Sequence, residues 1–183
     1  MYEASKAASR RGSEFPYLYG DVIDVGCGPD PINNNQYKYI KSVRPWDMPD
    51  GDAQKLSSIQ NYTYDCLHSS HCLEHMVDPR EALKNWVRVV KQGGFLVVTV
   101  PDEEMYEHLL WPSRFNNDHK WSFGMHWSKR LPRSINILEM LKKQDRIEVY
   151  KVERIVNGFD PKISTDQTMG NAECCIEFIA RVV

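Results

Sequence analysis

The sequence predicts an α/β fold built round a mainly parallel sheet, and three segments predict it. Val22-Ile23-Asp24-Val25 is an apolar run halted by Gly26-Cys27-Gly28-Pro29, the pattern of a buried parallel strand entering a tight turn. Residues 64–100 read as strand, amphipathic helix and strand, at lengths that make a right-handed βαβ unit. Residues 146–155 and 174–182 alternate apolar with polar side chains across a connection without helical periodicity, which predicts an antiparallel pair.

Each element has a local reason. Residues 1–20 start polar and basic and turn aromatic at Phe15, Tyr17 and Tyr19, with Ala and Arg spaced as in a short helix; they are expected to form an N-terminal arm. After the first strand, prolines and the run Asn33-Asn34-Asn35 leave little room for a full crossover helix, so that connection is abbreviated. The helix of the βαβ unit has Asp78 as N-cap, Pro79 as first helical residue and Glu81 as capping-box acid. Leu83, Trp86, Val87 and Val90 fall on one face, and Lys91-Gln92-Gly93-Gly94 supplies a basic last turn and a stop. Residues 103–131, rich in Trp, His and Phe and without regular periodicity, read as a substrate lid. Ser134 to Gln144 reads as a further helix.

With 183 residues the chain fits one domain over 1–183. Its 42% hydrophobic and 26% charged residues place it among folded proteins. Lys plus Arg number 23 against 25 Asp plus Glu, and so nearly balanced a charge disfavours nucleic acid as a partner. Five cysteines without a CxxC point to reduced thiols, and no run has the length of a membrane span or signal peptide; a cytoplasmic protein without membrane attachment is the expectation. Oligomeric state is left open, with a homodimer as one option.

The chemistry concentrates at strand ends. Glycines at 26 and 28 let a ligand approach bare backbone. A dinucleotide pyrophosphate needs a third glycine opening a helix, and Asp30-Pro31 stands there instead, which argues against NAD or FAD. Asp47 follows at the end of the second strand, the distance at which an acid accepts from a ribose diol, and Asp52-Ala53 supplies a carboxylate and a backbone N–H for an adenine edge. These elements converge on a nucleoside without phosphate.

On the segments VIDVGCGPD, WDMPDGDAQKL and YDCLHSSHCLEHMVDPREALKNWVRVVKQGGFLVVTVPD, residues 22–102 resemble a small class I S-adenosylmethionine-dependent methyltransferase. The resemblance implies a three-layer Rossmann-like fold, with a seven-stranded, mainly parallel sheet whose last strand is antiparallel. It also implies that Asp24, Gly26 and Gly28 line the methionine part of S-adenosylmethionine, that Asp47 holds the ribose, Asp52 and Ala53 the adenine, and that Ser69, Ser70 and His71 flank the sulfonium. Asp30 and the shortened first helix depart from the family pattern.

His71-Cys72-Leu73-Glu74-His75 also matches HxxEH, in which two helical His bind zinc beside a Glu. Residues 103–131 resemble no helix carrying a further ligand, so the expectation is that His75 packs beneath the cofactor, that Glu74 is solvated and that no metal is required. Methyl transfer from a sulfonium is an in-line displacement in which positioning does most of the work. A hydroxyl acceptor needs a base, and His119 is the candidate, with Asp118 beside it; Trp111, Trp121, His126 and Trp127 are expected to wall the acceptor pocket. The acceptor expected is a small polar molecule such as a sugar or nucleotide-linked sugar, methylated on O or N. The competing reading is a non-catalytic S-adenosylmethionine-binding module acting as sensor or partner subunit.

Overall fold

The computed structural model describes residues 3–125 and 131–183. Its sheet follows the order β2-β1-β3-β4-β8-β7, formed by β1 (Gly20–Val25), β2 (Ile40–Trp46), β3 (Tyr64–Ser70), β4 (Val90–Pro101), β7 (Ile147–Ile155) and β8 (Cys175–Val182). The first four are parallel; β8 runs antiparallel to both β4 and β7, as the late alternating segments predict. This sheet has six strands among the described residues where seven were expected. After β2 the chain enters a 3-10 turn, Met48–Asp50, and further turns up to residue 63, so no strand forms outside β2. β2 is therefore an edge strand, and an edge tolerates Pro45, which has no N–H for a ladder.

Helices cover both faces. α2 (Pro79–Val89) begins at Asp78, whose carboxylate accepts from the N–H groups of Arg80 and Glu81. It buries Leu83, Trp86 and Val87 against Leu67, Leu96 and Val98, each large apolar side chain contributing ~1.5–3 kcal/mol. Glu81 does not close a capping box; its carboxylate takes the side-chain amide of Gln54. Nor do the glycines stop the helix. It ends at Val89 because Val90 already pairs with Tyr64 in the β3–β4 register. α3 (Ile137–Lys142) starts later than Ser134, since residues 134–136 form β6 (Ser134–Asn136) beside β5 (Ser122–Gly124). Asn136 caps it by accepting from Glu139 N–H.

The other face, left bare by the abbreviated connection after β1, is covered by α1 (Glu3–Arg11). Ala4 and Ala8 pack with Leu18, Val22, Ile32, Tyr37, Cys66 and Val97. The strands alternate accordingly: Leu96 and Val98 face the α2 side, Val97 the α1 side. All five cysteines are free thiols. No described helix is long and apolar enough to cross a membrane.

Candidate functional site

β1 ends in a turn through Gly26 (φ +72°) and Gly28 (φ +52°). A Cβ at Gly26 would lie 2.4 Å from Cys72 Sγ, so only glycine lets the turn pack against the segment that follows β3. A Cβ at Gly28 would meet no described atom nearer than Asp47 Oδ2 at 4.0 Å, which leaves open space over the backbone beside that carboxylate. Asp47 accepts from Gly28 N–H at 2.6 Å and from Met48 N–H at 2.7 Å. Each of its oxygens keeps lone-pair capacity for a further donor. Gly26, Asp47, Asp52, Ala53, His71 and His75 line a cavity of about 590 Å³, within the range of cofactor sites and at the carboxyl ends of parallel strands. A wider groove of about 740 Å³ lies between α2 and the end of α3, lined by charged side chains such as Arg80, Lys84, Arg88 and Arg146 and away from the glycine turn.

Asp24 has a different place from the one expected. It is buried, with one oxygen 2.7 Å from His68 Nδ1 and the other accepting from Ile32 N–H at 2.8 Å, and it does not line the cavity. Arg11 Nη1 lies 3.2 Å from His68 Nε2; a guanidinium only donates, so Nε2 accepts and Nδ1–H donates to Asp24. Arg11 in turn pairs with buried Glu177 at 2.7 Å. This chain of contacts runs from β8 through α1 and β3 to β1 and holds the glycine turn from beneath. Ser69 Oγ is likewise spent on Val25 O at 2.9 Å, and Ser70 Oγ accepts from Thr99 at 3.0 Å.

Across the cavity the irregular segment folds back onto the turn Leu73–His75. Lys120 and Trp121 donate backbone N–H groups to Glu74 O, Lys120 Nζ reaches His75 O at 2.7 Å, and Trp121 Nε1 reaches Val77 O at 3.1 Å. This covering seals Glu74. The expectation of a solvated Glu74 is corrected: it is fully buried, and neither carboxylate oxygen has a hydrogen-bond partner among the described residues. Burial pushes its carboxyl up to about 7, against the opposing pull of His119. His119 is buried too, with Nδ1 2.7 Å from Glu107 Oε1. Burial alone would lower its pKa, but the Glu107 hydrogen bond and the charges of Glu74 and Glu107 outweigh that and hold it above the ordinary value. Its orienting carboxylate is therefore Glu107. Neighbouring Asp118 turns instead to His75, with Oδ2 3.0 Å from Nδ1.

Gly26, Asp47, Asp52, Ala53 and His71 thus come together on the cavity wall, with Gly28 next to Asp47. Trp121 packs towards Val77 and under Arg133, Trp111 lies off the wall, and His126 and Trp127 fall outside the described residues. The sequence reading missed Glu107 and the walls made by Met48, Met76, Asp118 and Lys120. Nothing local marks Glu107 as the partner of His119. Glu74 and His75 were visible in HxxEH, but only as helical neighbours, whereas a 3-10 turn carries them.

A model of the methyltransferase domain matches residues 4–133. No curated protein matches in sequence. Among solved structures, the fold is similar to an S-adenosylmethionine-dependent methyltransferase from Mesorhizobium loti, at 16% identity over 96% of this chain and 95% of that one, TM-score 0.62. It is also similar to an S-adenosylmethionine-dependent methyltransferase from Clostridium acetobutylicum, at 12% identity over 98% and 90%, TM-score 0.60. A third likeness, at 16% identity over 97% and 88% with TM-score 0.60, is to a chain in the complex of the Haloferax volcanii Trm112 methyltransferase activator with a candidate methyltransferase. With the domain model spanning most of the chain and the sheet ordered as described, the protein belongs to the class I S-adenosylmethionine-dependent methyltransferase family.

Proposed function

We propose that the protein transfers a methyl group from S-adenosylmethionine to a small polar acceptor, and that the whole chain, 1–183, works as one domain. The carrying observation is the cavity, which has the Asp47–Gly28 turn at one end and His71 and His75, backed by His119, at the other. The residues present fit the cofactor. Gly28 leaves backbone open where a Cβ would intrude, Asp47 keeps acceptor capacity for the ribose diol, and Asp52 stands exposed beside Ala53 for the adenine edge. When bound, S-adenosylmethionine supplies an electrophilic methyl group.

The protein's own part is positioning and proton handling. In this reading Asp24, held by His68 and Ile32 N–H, shapes the turn against the methionine end without touching it. Ser69 and Ser70 fix the end of β3, and His71, at φ +55°, faces the methyl end of the cavity. His119 donates Nδ1–H to Glu107, which leaves Nε2 as the lone pair that takes the acceptor's proton. Residues 103–131 serve as the lid, pinned to the turn Leu73–His75 by Lys120 and Trp121. A sugar hydroxyl is the first acceptor class to test, because such a group needs a base.

Calorimetry with S-adenosylmethionine and S-adenosylhomocysteine tests the cofactor; saturable heat with both is expected, and none would remove the proposal. Incubating the protein with S-adenosylmethionine and a pool of polar metabolites should then yield a product heavier by one methylene. Saturable binding with no product from any pool would leave a sensor or partner subunit in place of an enzyme.

A further inference from the structure

We propose that Glu74, His75 and His119 form a binding site for a divalent first-row transition metal. One ligand atom from each of the three lies within 4.8 Å of the others. Three imidazole nitrogens converge on Glu74 Oε1: His71 Nδ1 at 3.7 Å, His75 Nε2 at 3.9 Å and His119 Nε2 at 3.9 Å. These separations are too long for hydrogen bonds. They approach the roughly 3.4 Å that donors keep round a tetrahedral ion with bonds of about 2.0–2.1 Å.

The second observation is the carboxylate itself. Glu74 is fully buried, points into the cluster and has no hydrogen bond to either carboxylate oxygen among the described residues, a condition that is destabilising unless something else satisfies it. The outer nitrogens supply a third. His119 Nδ1 is 2.7 Å from Glu107 and His75 Nδ1 is 3.0 Å from Asp118 Oδ2, so both protons sit on the outer side and both inner nitrogens present bare lone pairs. That is the carboxylate–histidine–metal arrangement, in which the outer acceptor fixes the tautomer. Imidazole donors select zinc, copper, iron or nickel over magnesium and calcium, which prefer all-oxygen sites. Entry is from the cofactor cavity, which His71 and His75 line.

An ion on His119 Nε2 and a proton taken by it exclude each other, so a loaded site removes that base. The site itself does not depend on the methyl-transfer reading. The full chain, stripped with a chelator, is titrated with Zn²⁺ against a chromophoric chelator, with Mg²⁺ as control and Co²⁺ as spectroscopic probe. One equivalent of Zn²⁺ is expected, without competition from Mg²⁺ and with a Co²⁺ spectrum lacking a thiolate charge-transfer band. Glu74→Gln and His75→Ala should weaken binding at least ~100-fold and Glu107→Gln about 10-fold, while melting curves report their folding. Should Glu74→Gln not fold, His75→Ala, at the more accessible rim, carries the test. Absence of Zn²⁺ binding to the stripped protein, a thiolate band, or undiminished binding in His75→Ala overturns the site. S-adenosylmethionine calorimetry on the same stripped protein separates the two proposals: cofactor heat without zinc binding overturns the metal site alone, and zinc binding without cofactor heat overturns the cofactor reading alone.

Discussion

The two ends of the cavity differ in how their polar groups are satisfied. At the glycine turn both Asp24 oxygens, both Asp47 oxygens and His68 have partners, and the network continues through Arg11 to Glu177. At the opposite wall the carboxylate of buried Glu74 has no hydrogen-bond partner among the described residues, with three histidines held just beyond bonding distance. A fully satisfied buried network rigidifies, and an unsatisfied one is retained where chemistry or a ligand completes it. In the proposed function the first end supplies binding geometry and the second reactivity.

The comparison breaks most visibly at His119. His119→Gln keeps a polar group near Glu107 but removes the basic nitrogen, and turnover on the acceptor found by the metabolite screen should fall ~10²–10⁴-fold. S-adenosylmethionine affinity, read by calorimetry, should hold, because His119 touches Glu107, His75 and Tyr106 at the end of the cavity away from Asp47. Unchanged turnover would place proton transfer elsewhere and leave the reactive end without its base.

Glu177 tests the satisfied end. Its carboxylate lies 2.7 Å from both Arg10 and Arg11 and is held down at about 2; burial opposes this, and the two guanidinium groups outweigh it. Its ordinary value is 4.5, so the stabilisation, roughly 3 kcal/mol, is complete above that pH and is lost as pH falls from about 4.5 towards 2. Glu177→Gln leaves Arg11 buried without its counter-charge and should cost about 3–5 kcal/mol in denaturant melts at neutral pH. It should also flatten the loss of stability on acidification. A variant as acid-sensitive as the parent would show that this ion pair does not hold the α1 side together.

The same contrast explains what was legible in the sequence. Val22–Val25 with its glycines, the Asp78 cap and the late alternating strands are local patterns, and the local physics that reads them also forms them. The place of Asp47, at a strand end beside the glycine turn, was legible because it follows from position along the chain. The helix stop at Val89 was not, since the β3–β4 register overrides the glycines; neither was the fate of Glu74. Its burial depends on Lys120 and Trp121 reaching back across more than forty residues, and no periodicity encodes such a contact. Glu107 was invisible for the same reason, lying in irregular backbone whose fold is set by what it covers.

Asp47 belongs to both halves of the comparison, because it holds the turn and, in the proposed function, the ribose. Asp47→Ala loses the acceptor for Gly28 N–H and for the diol; with charged hydrogen bonds contributing ~1.5–3 kcal/mol, S-adenosylmethionine affinity should drop about 10- to 100-fold. Asp47→Asn keeps one acceptor oxygen and should lose less. If both variants bind as the parent does, the sugar lies elsewhere.

The smallest effect expected is at Ser5, where α1 meets the turn. Ser5 donates its N–H at 2.9 Å and its hydroxyl at 2.6 Å to Asp30, the acid standing where the family pattern has a third glycine. Ser5→Ala removes the hydroxyl's bond to Asp30 and the long one it accepts from Gln36 Nε2 at 3.4 Å but keeps the backbone one, so a loss of about 0.5–1.5 kcal/mol in stability is expected. Cofactor affinity should follow by no more than a few-fold, since Gly26 and Gly28 are held independently by Trp46 O and Asp47. A loss of affinity much larger than the loss of stability would mean that α1 is part of the cofactor site, with Asp30 replacing the absent glycine by tethering a helix over the turn.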